Sequence, residues 1–355
     1  MTLPVSSWRT VFPFTALVDQ ERLKLALLLN AINPRIGGVL IRGAKGTGKS
    51  TAVRALADLL PEVEVVEDCR FRCNPHDPTN MCDVCRSRIE RGERLPIARR
   101  KMRVVDLPIG ATEDRVVGTL DIEKAIREGV KALEPGILAE ANQNVLYVDE
   151  INLLPDHIAD VILDAAASGW NVVEREGISV RHPARFILVG TMNPEEGELR
   201  PQLLDRMALH TEVFTVLDPN LRVEVMKTNI EFEDDPLVFI EKYRGQQDEL
   251  MKRVLKAKET LPKTHVSDQL FESVARMCIN LQADGHRPDI IIIKSARTLA
   301  AFNGKGEVTS QEVLDSAFLT LSHRTRNMGV EPPASDRQIE EEFKKALELV
   351  QKTPT

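Results

Sequence analysis

The chain has 355 residues, 43% of them hydrophobic and 28% charged, with a formal net charge of −7. That is length enough for two or three domains, with ample apolar material for a core. The acidic balance weighs against a dedicated nucleic-acid binder, whose affinity rests on a basic face. No apolar run approaches the roughly 18–20 residues that span a bilayer. The opening MTLPVSSWRTVFPF is too short and too weakly charged for a signal or transit peptide, so a cytoplasmic chain is expected.

The first strand in chain order is GVLIR, 38–42, an apolar run without polar alternation, as in a strand covered on both faces. It leads into GAKGTGKS and then the helical pattern TAVRALADLL. The octapeptide fits G-x-x-x-x-G-K-[ST], a phosphate-binding loop, and lies after a strand and before a helix as the mechanism requires. Gly43, Gly46 and Gly48 let the backbone wrap close to phosphate oxygens, and Ala44, Lys45 and Thr47 complete the loop. N–H groups at the new helix start favour an anion. Lys49 is expected to reach the β- and γ-phosphates of ATP, and Ser50 to ligate Mg²⁺.

VEVV, 63–66, reads as a second strand. After it come Cys69, Cys73, Cys82 and Cys85, spaced C-x₃-C-x₈-C-x₂-C with His76 between the pairs. Such pairs suit a zinc knuckle, a redox-responsive thiol pair or plain reduced cysteines, and the spacing leaves all three open. NVLYV, 144–148, is a third strand and ends in Asp149-Glu150, at the carboxyl edge where α/β sheets bind ligands. Asp149 is expected to hold the metal through water, and Glu150 to orient and deprotonate the attacking water. His157 is expected on a helix surface, and Trp170 in a core or at an interface edge. FILVG, 186–190, is a fourth strand; Asn193 beyond it offers an amide to place the lytic water. Arg206 follows in a helical segment, where a lone arginine is by default a solvated surface residue. EVFTV, 212–216, is the fifth strand, and the alternation of strands with helices is the α/β pattern.

Beyond Asp218-Pro219 the patterns are helical. Cys278 lies on an apolar helical stripe and reads as core, while His323, Arg324 and Arg326 read as a basic helix end favoured by the helix dipole. In the last helix Ser335 and Gln338 form a capping box, and Ile339, Phe343, Leu347 and Val350 share one face. The division expected is an α/β nucleotide-binding domain over 1–217 and a helical domain over 218–355.

The phosphate loop, the Asp-Glu pair, the strand-end asparagine, LLDR and a helical lid, in that order, are similar to the AAA+ ATPases. More narrowly, VVDLPIGATEDRVVGTLDIEKAI, EPGILAEAN, LYVDEINLLPDHIADVILDAAASGWNVVEREGISVRHPARFILVGTMNPEEGELRPQLLDR and LSHRTR resemble the ATPase (I) subunit of magnesium chelatase, across roughly residues 12–326. The resemblance implies a parallel five-stranded sheet flanked by helices, with an all-helical C-terminal domain. It implies sensor 1 at Asn193 and an arginine finger at Arg206 acting on a neighbour's ATP. Arg287 opens the helix that carries sensor 2, with Arg297 as the lesser candidate. It also implies a helix-2 insert at about 106–134 and a hairpin before sensor 1 at about 171–184. A self-associated ring, a hexamer, follows from the family, as do a chelatase D subunit and a porphyrin-binding H subunit as partners.

The activity implied is ATP hydrolysis that drives Mg²⁺ insertion into protoporphyrin IX on a partner, in chlorophyll or bacteriochlorophyll biosynthesis. The sequence holds no D-x-S-x-S metal motif, which the D subunit carries, and nothing that resembles a tetrapyrrole pocket. A cobalt or nickel chelatase ATPase, or a metalloenzyme-maturation chaperone, would share the motifs. A nucleic-acid remodeller shares the insert and hairpin, and Arg175, Arg181 and Arg185 are basic residues in that arm.

Overall fold

The computed structural model describes residues 10–120, 133–175, 178–324, 326 and 330–352. Its strands in chain order are β1 (Val39–Gly43), β2 (Val63–Val66), β3 (Ile97–Arg100), β4 (Val104–Leu107), β5 (Gly118–Leu120), β6 (Leu133–Pro135), β7 (Val145–Val148), β8 (Trp170–Arg175), β9 (Ile178–Pro183), β10 (Ile187–Met192) and β11 (Leu209–Val213). Five of them form one sheet in the order β11-β1-β10-β7-β4, all parallel. Side chains alternate between its faces. Leu40, Leu146, Val148 and Leu188 enter one core, whereas Val39, Ile41, Val145, Tyr147, Ile187 and Val189 enter the other. Burial on both faces is why these strands read as unbroken apolar runs.

Two of the five expected strands need correction. Val63–Val66 is a strand, but it pairs antiparallel with β3 in a separate two-stranded sheet. The fifth place in the main sheet is taken instead by β4, at its edge beside β7. Its VVDL carries an acid and follows the basic stretch ARRKMR, which disguises it as surface. Asp106 and Leu107, the first residues of the expected insert, therefore belong to the sheet. The last strand begins earlier than expected, at Leu209, because His210 and Thr211 are polar residues buried in it.

Of the expected insert, the Glu113–Val117 helix and the antiparallel β5–β6 pair are seen, while 121–132 lie outside the described residues. The β8–β9 pair is an antiparallel hairpin at the place expected for the second insertion.

Asp218 caps the Pro219–Asp234 helix by accepting from the N–H groups of Asn220 and Leu221. The helices that follow cover one face of the sheet: Val254, Ala257, Ile291 and Leu299 share a core with Leu23, Leu27 and Ile41. Cys278 is buried with Leu270, Val274 and Phe343 in a third core, built from the helical half of the chain. The Ser335 N–H donates to Gln338 Oε1 at 2.9 Å and Ser335 Oγ accepts from the Gln338 N–H at 3.4 Å, so the capping box forms. Ile339, Phe343 and Val350 are buried and Leu347 packs beside them.

His323 and Arg324 do follow the end of the Ser310–Leu321 helix, but in the interior. Both are buried, and His323 Nε2–H donates to the Met207 carbonyl at 3.0 Å. Arg324 donates to the carbonyls of Asp205 (2.8 Å), Met207 (3.0 Å) and Thr320 (3.1 Å), and pairs with the Asp205 carboxylate. The arginine locks the short Pro201–Arg206 helix onto the helical half. Arg297 likewise donates to the Thr264 and Leu261 carbonyls, at 3.2 and 3.3 Å.

Three buried histidines make stability depend on pH. Burial, with the Arg42 charge adding to it, lowers His210 to about 4. Burial lowers His182, and burial with Arg324 and His210 nearby holds His323 well below the ordinary value. Their unfolded values lie near 6.5. Above that pH both states are neutral; below it the unfolded chain takes up protons that the folded chain refuses. Stability is therefore fully present above pH about 6.5 and falls as the pH drops toward 4, by on the order of 3 kcal/mol for His210 alone. Urea midpoints measured from pH 8 to 4 should decline across that window, and a flat profile would exclude neutral burial.

Candidate nucleotide site

The phosphate loop leaves β1 at Gly43, where the backbone passes so close to β11 that a Cβ would lie 2.5 Å from the Val213 carbonyl oxygen. Gly48 has φ +81° and caps the Lys49–Leu59 helix, a left-handed conformation that an L side chain would strain. Lys49 Nζ donates to the carbonyls of Ala44 (2.9 Å) and Gly43, holding its charge over the loop. Burial pushes the Lys49 ammonium below its ordinary value, while Asp149, Glu150 and Glu196 oppose that shift. The loop faces a cleft of about 650 Å³, lined among others by Lys45, Ser50, Asp149, Glu150 and Asn193.

Asp149 is anchored from two sides. Thr191 Oγ1 donates to its Oδ1 at 2.5 Å and the Tyr147 hydroxyl to the same oxygen at 2.9 Å. Burial raises the Tyr147 phenol, so it stays protonated and donating. Glu150 has φ +53°, a strained position for a residue with a side chain. Its carboxylate is 3.7 Å from Lys45 Nζ, which lies 2.5 Å from Glu196. The Lys45 hydrogen bond holds Glu196 below the usual carboxylate range. Asn193 is buried, and its Oδ1 accepts from the Glu195 N–H at 3.3 Å, capping the turn that carries Glu196.

Gly43–Ser50, Asp149, Glu150 and Asn193 thus converge from three adjacent strand ends onto one cleft. A cation-bearing anion cradle faces an anchored acid pair, which fits a nucleotide triphosphate carrying Mg²⁺. Arg206 and Arg287 are not in this group. Arg206 is held by Asp160, at 2.6 Å, and Asp164 on the Asp156–Ser168 helix. Arg287 reaches Asp205 at 2.7 Å, beside Arg206. His157 is exposed on the Asp156–Ser168 helix.

Tyr147, Thr191, Lys45 as an acid partner, and Glu196 were not singled out from sequence for this site. A period-two signal exists for two of them: Tyr147 precedes Asp149 by two residues, and Thr191 precedes Asn193 by two, so each pair shares a strand face.

A parallel sheet in this order, with a phosphate loop after β1, an acid pair after β7 and a helical lid, defines an AAA+ P-loop ATPase. Residues 122–215 match the family model for magnesium chelatase, subunit ChlI, and residues 272–345 match an AAA lid domain. Over 328 residues the chain is 58% identical to the magnesium-chelatase subunit ChlI homolog of Methanocaldococcus jannaschii, covering 92% of this chain and 89% of that protein. It is 51% identical over 350 residues to magnesium-chelatase subunit ChlI of Synechocystis sp., covering 99% and 98%. Among solved structures it resembles a chain of the complex between subunits BchI and BchD of magnesium chelatase, from single-particle cryo-EM. That match has 47% identity and a TM-score of 0.54, and covers 94% of this chain and 100% of the other. The chain belongs to the magnesium chelatase I-subunit family of AAA+ ATPases.

Proposed function

We propose that the chain is the motor subunit of magnesium chelatase, hydrolysing ATP to drive Mg²⁺ insertion into protoporphyrin IX held on a partner subunit. The observation that carries this is the convergence of the phosphate loop, Asp149 and Glu150 in a chain 51% identical, end to end, to a ChlI subunit. In this reading residues 1–217 bind nucleotide and 218–355 form the lid and C-terminal domain. Lys49 and the loop N–H groups bind the β- and γ-phosphates. Ser50 and Asp149 hold the catalytic Mg²⁺, which when bound neutralises phosphate charge. Glu150 takes the proton of the attacking water, and Asn193 orients that water.

Arg206 and Arg287 lie together away from their own cleft, which suits a role at a neighbour's nucleotide and hence a ring, a hexamer in the family's manner. Phe214 and Leu217, 72% and 87% exposed, leave apolar surface beside the cleft for a second copy to cover. A chelatase partner of the BchD kind, as in the BchI–BchD complex, and a porphyrin-binding H subunit complete the assembly. Its site of action in this reading is the cytoplasm; among the described residues no helix is long and apolar enough to cross a membrane.

The test is reconstitution. The chain mixed with its D and H partners, ATP, Mg²⁺ and protoporphyrin IX should form Mg-protoporphyrin, read by fluorescence, and Lys49→Ala should abolish the product. ATP hydrolysis without any Mg-protoporphyrin, but with Co²⁺ or Ni²⁺ inserted into a tetrapyrrole, would favour the cobalt or nickel chelatase instead.

A further inference from the structure

Cys69, Cys73, Cys82 and Cys85 come from two turns of the loop that joins β2 to β3, and their four Sγ atoms all lie within 4.8 Å of one another. Cys69 Sγ is 3.6 Å from Cys73 Sγ and 3.8 Å from Cys82 Sγ. A disulfide needs about 2.05 Å, so neither pair is bonded. Four sulfurs around one ion with Zn–S of about 2.3 Å form a tetrahedron whose edges are about 3.8 Å. An iron–sulfur cubane would instead hold the thiolates apart by the width of the cluster, more than this set allows.

Packing as small hydrophobes does not explain the arrangement, because such side chains have no reason to turn every sulfur toward one shared centre. Cys73, Cys82 and Cys85 are all buried. The Cys82 N–H donates to Cys73 Sγ at 3.2 Å, a bond that favours thiolate over thiol. Cys82 caps the Asp83–Glu90 helix and Cys85 sits in its first turn, where the positive helix end offsets sulfur charge. Arg72, between the first pair, has φ +50°, and that left-handed turn brings Cys73 back beside Cys69. His76 points elsewhere, 2.5 Å from Glu64, and is not a ligand.

We infer that the four cysteines bind one structural Zn²⁺, and that this ion holds the loop which ties both family insertions to the β2–β3 pair. Binding leaves each sulfur as thiolate, the thiol protons passing to solvent, and gives a Zn(S)₄ unit of charge −2. The residues between the ligands reach out to the insertions. Arg70 donates to the Leu133 carbonyl of β6 at 2.7 Å. The Phe71 ring stacks on His182 of β9 at 4.8 Å, and Asn80 donates to the Gly169 carbonyl at the hairpin base at 2.9 Å. The inference stands whether or not the chelatase reading does, since it uses none of the nucleotide site.

The test begins with the wild-type chain, purified under reducing conditions without chelator or added metal. Elemental analysis should give about one zinc per chain. A mercurial that titrates thiols should release it, and Co²⁺ exchanged into the site should show the intense absorption of tetrahedral thiolate coordination. Cys73→Ser with Cys85→Ser should lose the zinc and cleave faster under limited proteolysis between residues 67 and 96, whereas Cys278→Ser should keep it. Zinc-free protein whose four cluster thiols react freely would overturn the inference. So would iron in place of zinc, or zinc retained by the double variant.

Discussion

Glu150→Gln should bind ATP about as well as the wild type and hydrolyse it about 10²–10⁴-fold more slowly, the range a positioned general base contributes. The substitution keeps size and hydrogen bonding but removes the proton acceptor. Binding should survive because the Gly43 and Ala44 carbonyls hold Lys49, and Tyr147 and Thr191 anchor Asp149, without the Glu150 carboxylate, while Lys45 keeps its closer partner Glu196. The strained φ of Glu150 is a further reason to expect a functional position, since strain persists where the surrounding structure demands it. Phosphate release at saturating ATP, beside equilibrium titration with a fluorescent nucleotide, separates the two effects. Turnover within a few-fold of wild type would remove Glu150 from the catalytic role.

Arg206→Ala should also bind ATP nearly normally, yet lose about 10³-fold or more in hydrolysis if the guanidinium acts as a finger. In the single chain Arg206 is neutralised by Asp160 and Asp164 and does not line its own cleft. A finger role then requires that it reach nucleotide across an interface, where phosphate charge would compete with the two acids. Lys49→Ala supplies the complement, with a damaged loop and an intact arginine. Mixed assemblies should regain part of the activity that neither variant has alone, because some interfaces pair an intact loop with an intact arginine. Mixed rings that form, confirmed by light scattering, but stay as inactive as the separate variants would return Arg206 to a structural role, pairing its own helix with Asp160 and Asp164.

The cysteine loop between β2 and β3 needs both sequence and structure to be understood. Four cysteines at short spacing are visible as a pattern, yet the spacing leaves three explanations open. Only their convergence to within 4.8 Å separates a tetrahedral site from disulfides or scattered core thiols. The basic LSHRTR end shows the opposite outcome. His323 and Arg324 read as a basic helix end from their spacing and charge, but their acceptors, the Met207 and Asp205 carbonyls, are 116 and 119 residues away in the chain.

The sequence by itself determined the phosphate loop, the Asp149-Glu150 pair, the α/β class and the helical second half. Each depends on local causes: glycine freedom within eight residues, apolar runs that need cover on both faces, and helical periodicity. Tertiary structure alone decided that β4 rather than β2 joins the central sheet, since strand pairing depends on which neighbour buries which face. It decided too that Tyr147 and Thr191 meet at Asp149, from adjacent strands 44 residues apart in the chain. The partners of Arg206 lie 46 and 42 residues from it, on a helix whose packing no short motif encodes. A charge written in the sequence has no address until the fold brings its counterpart beside it.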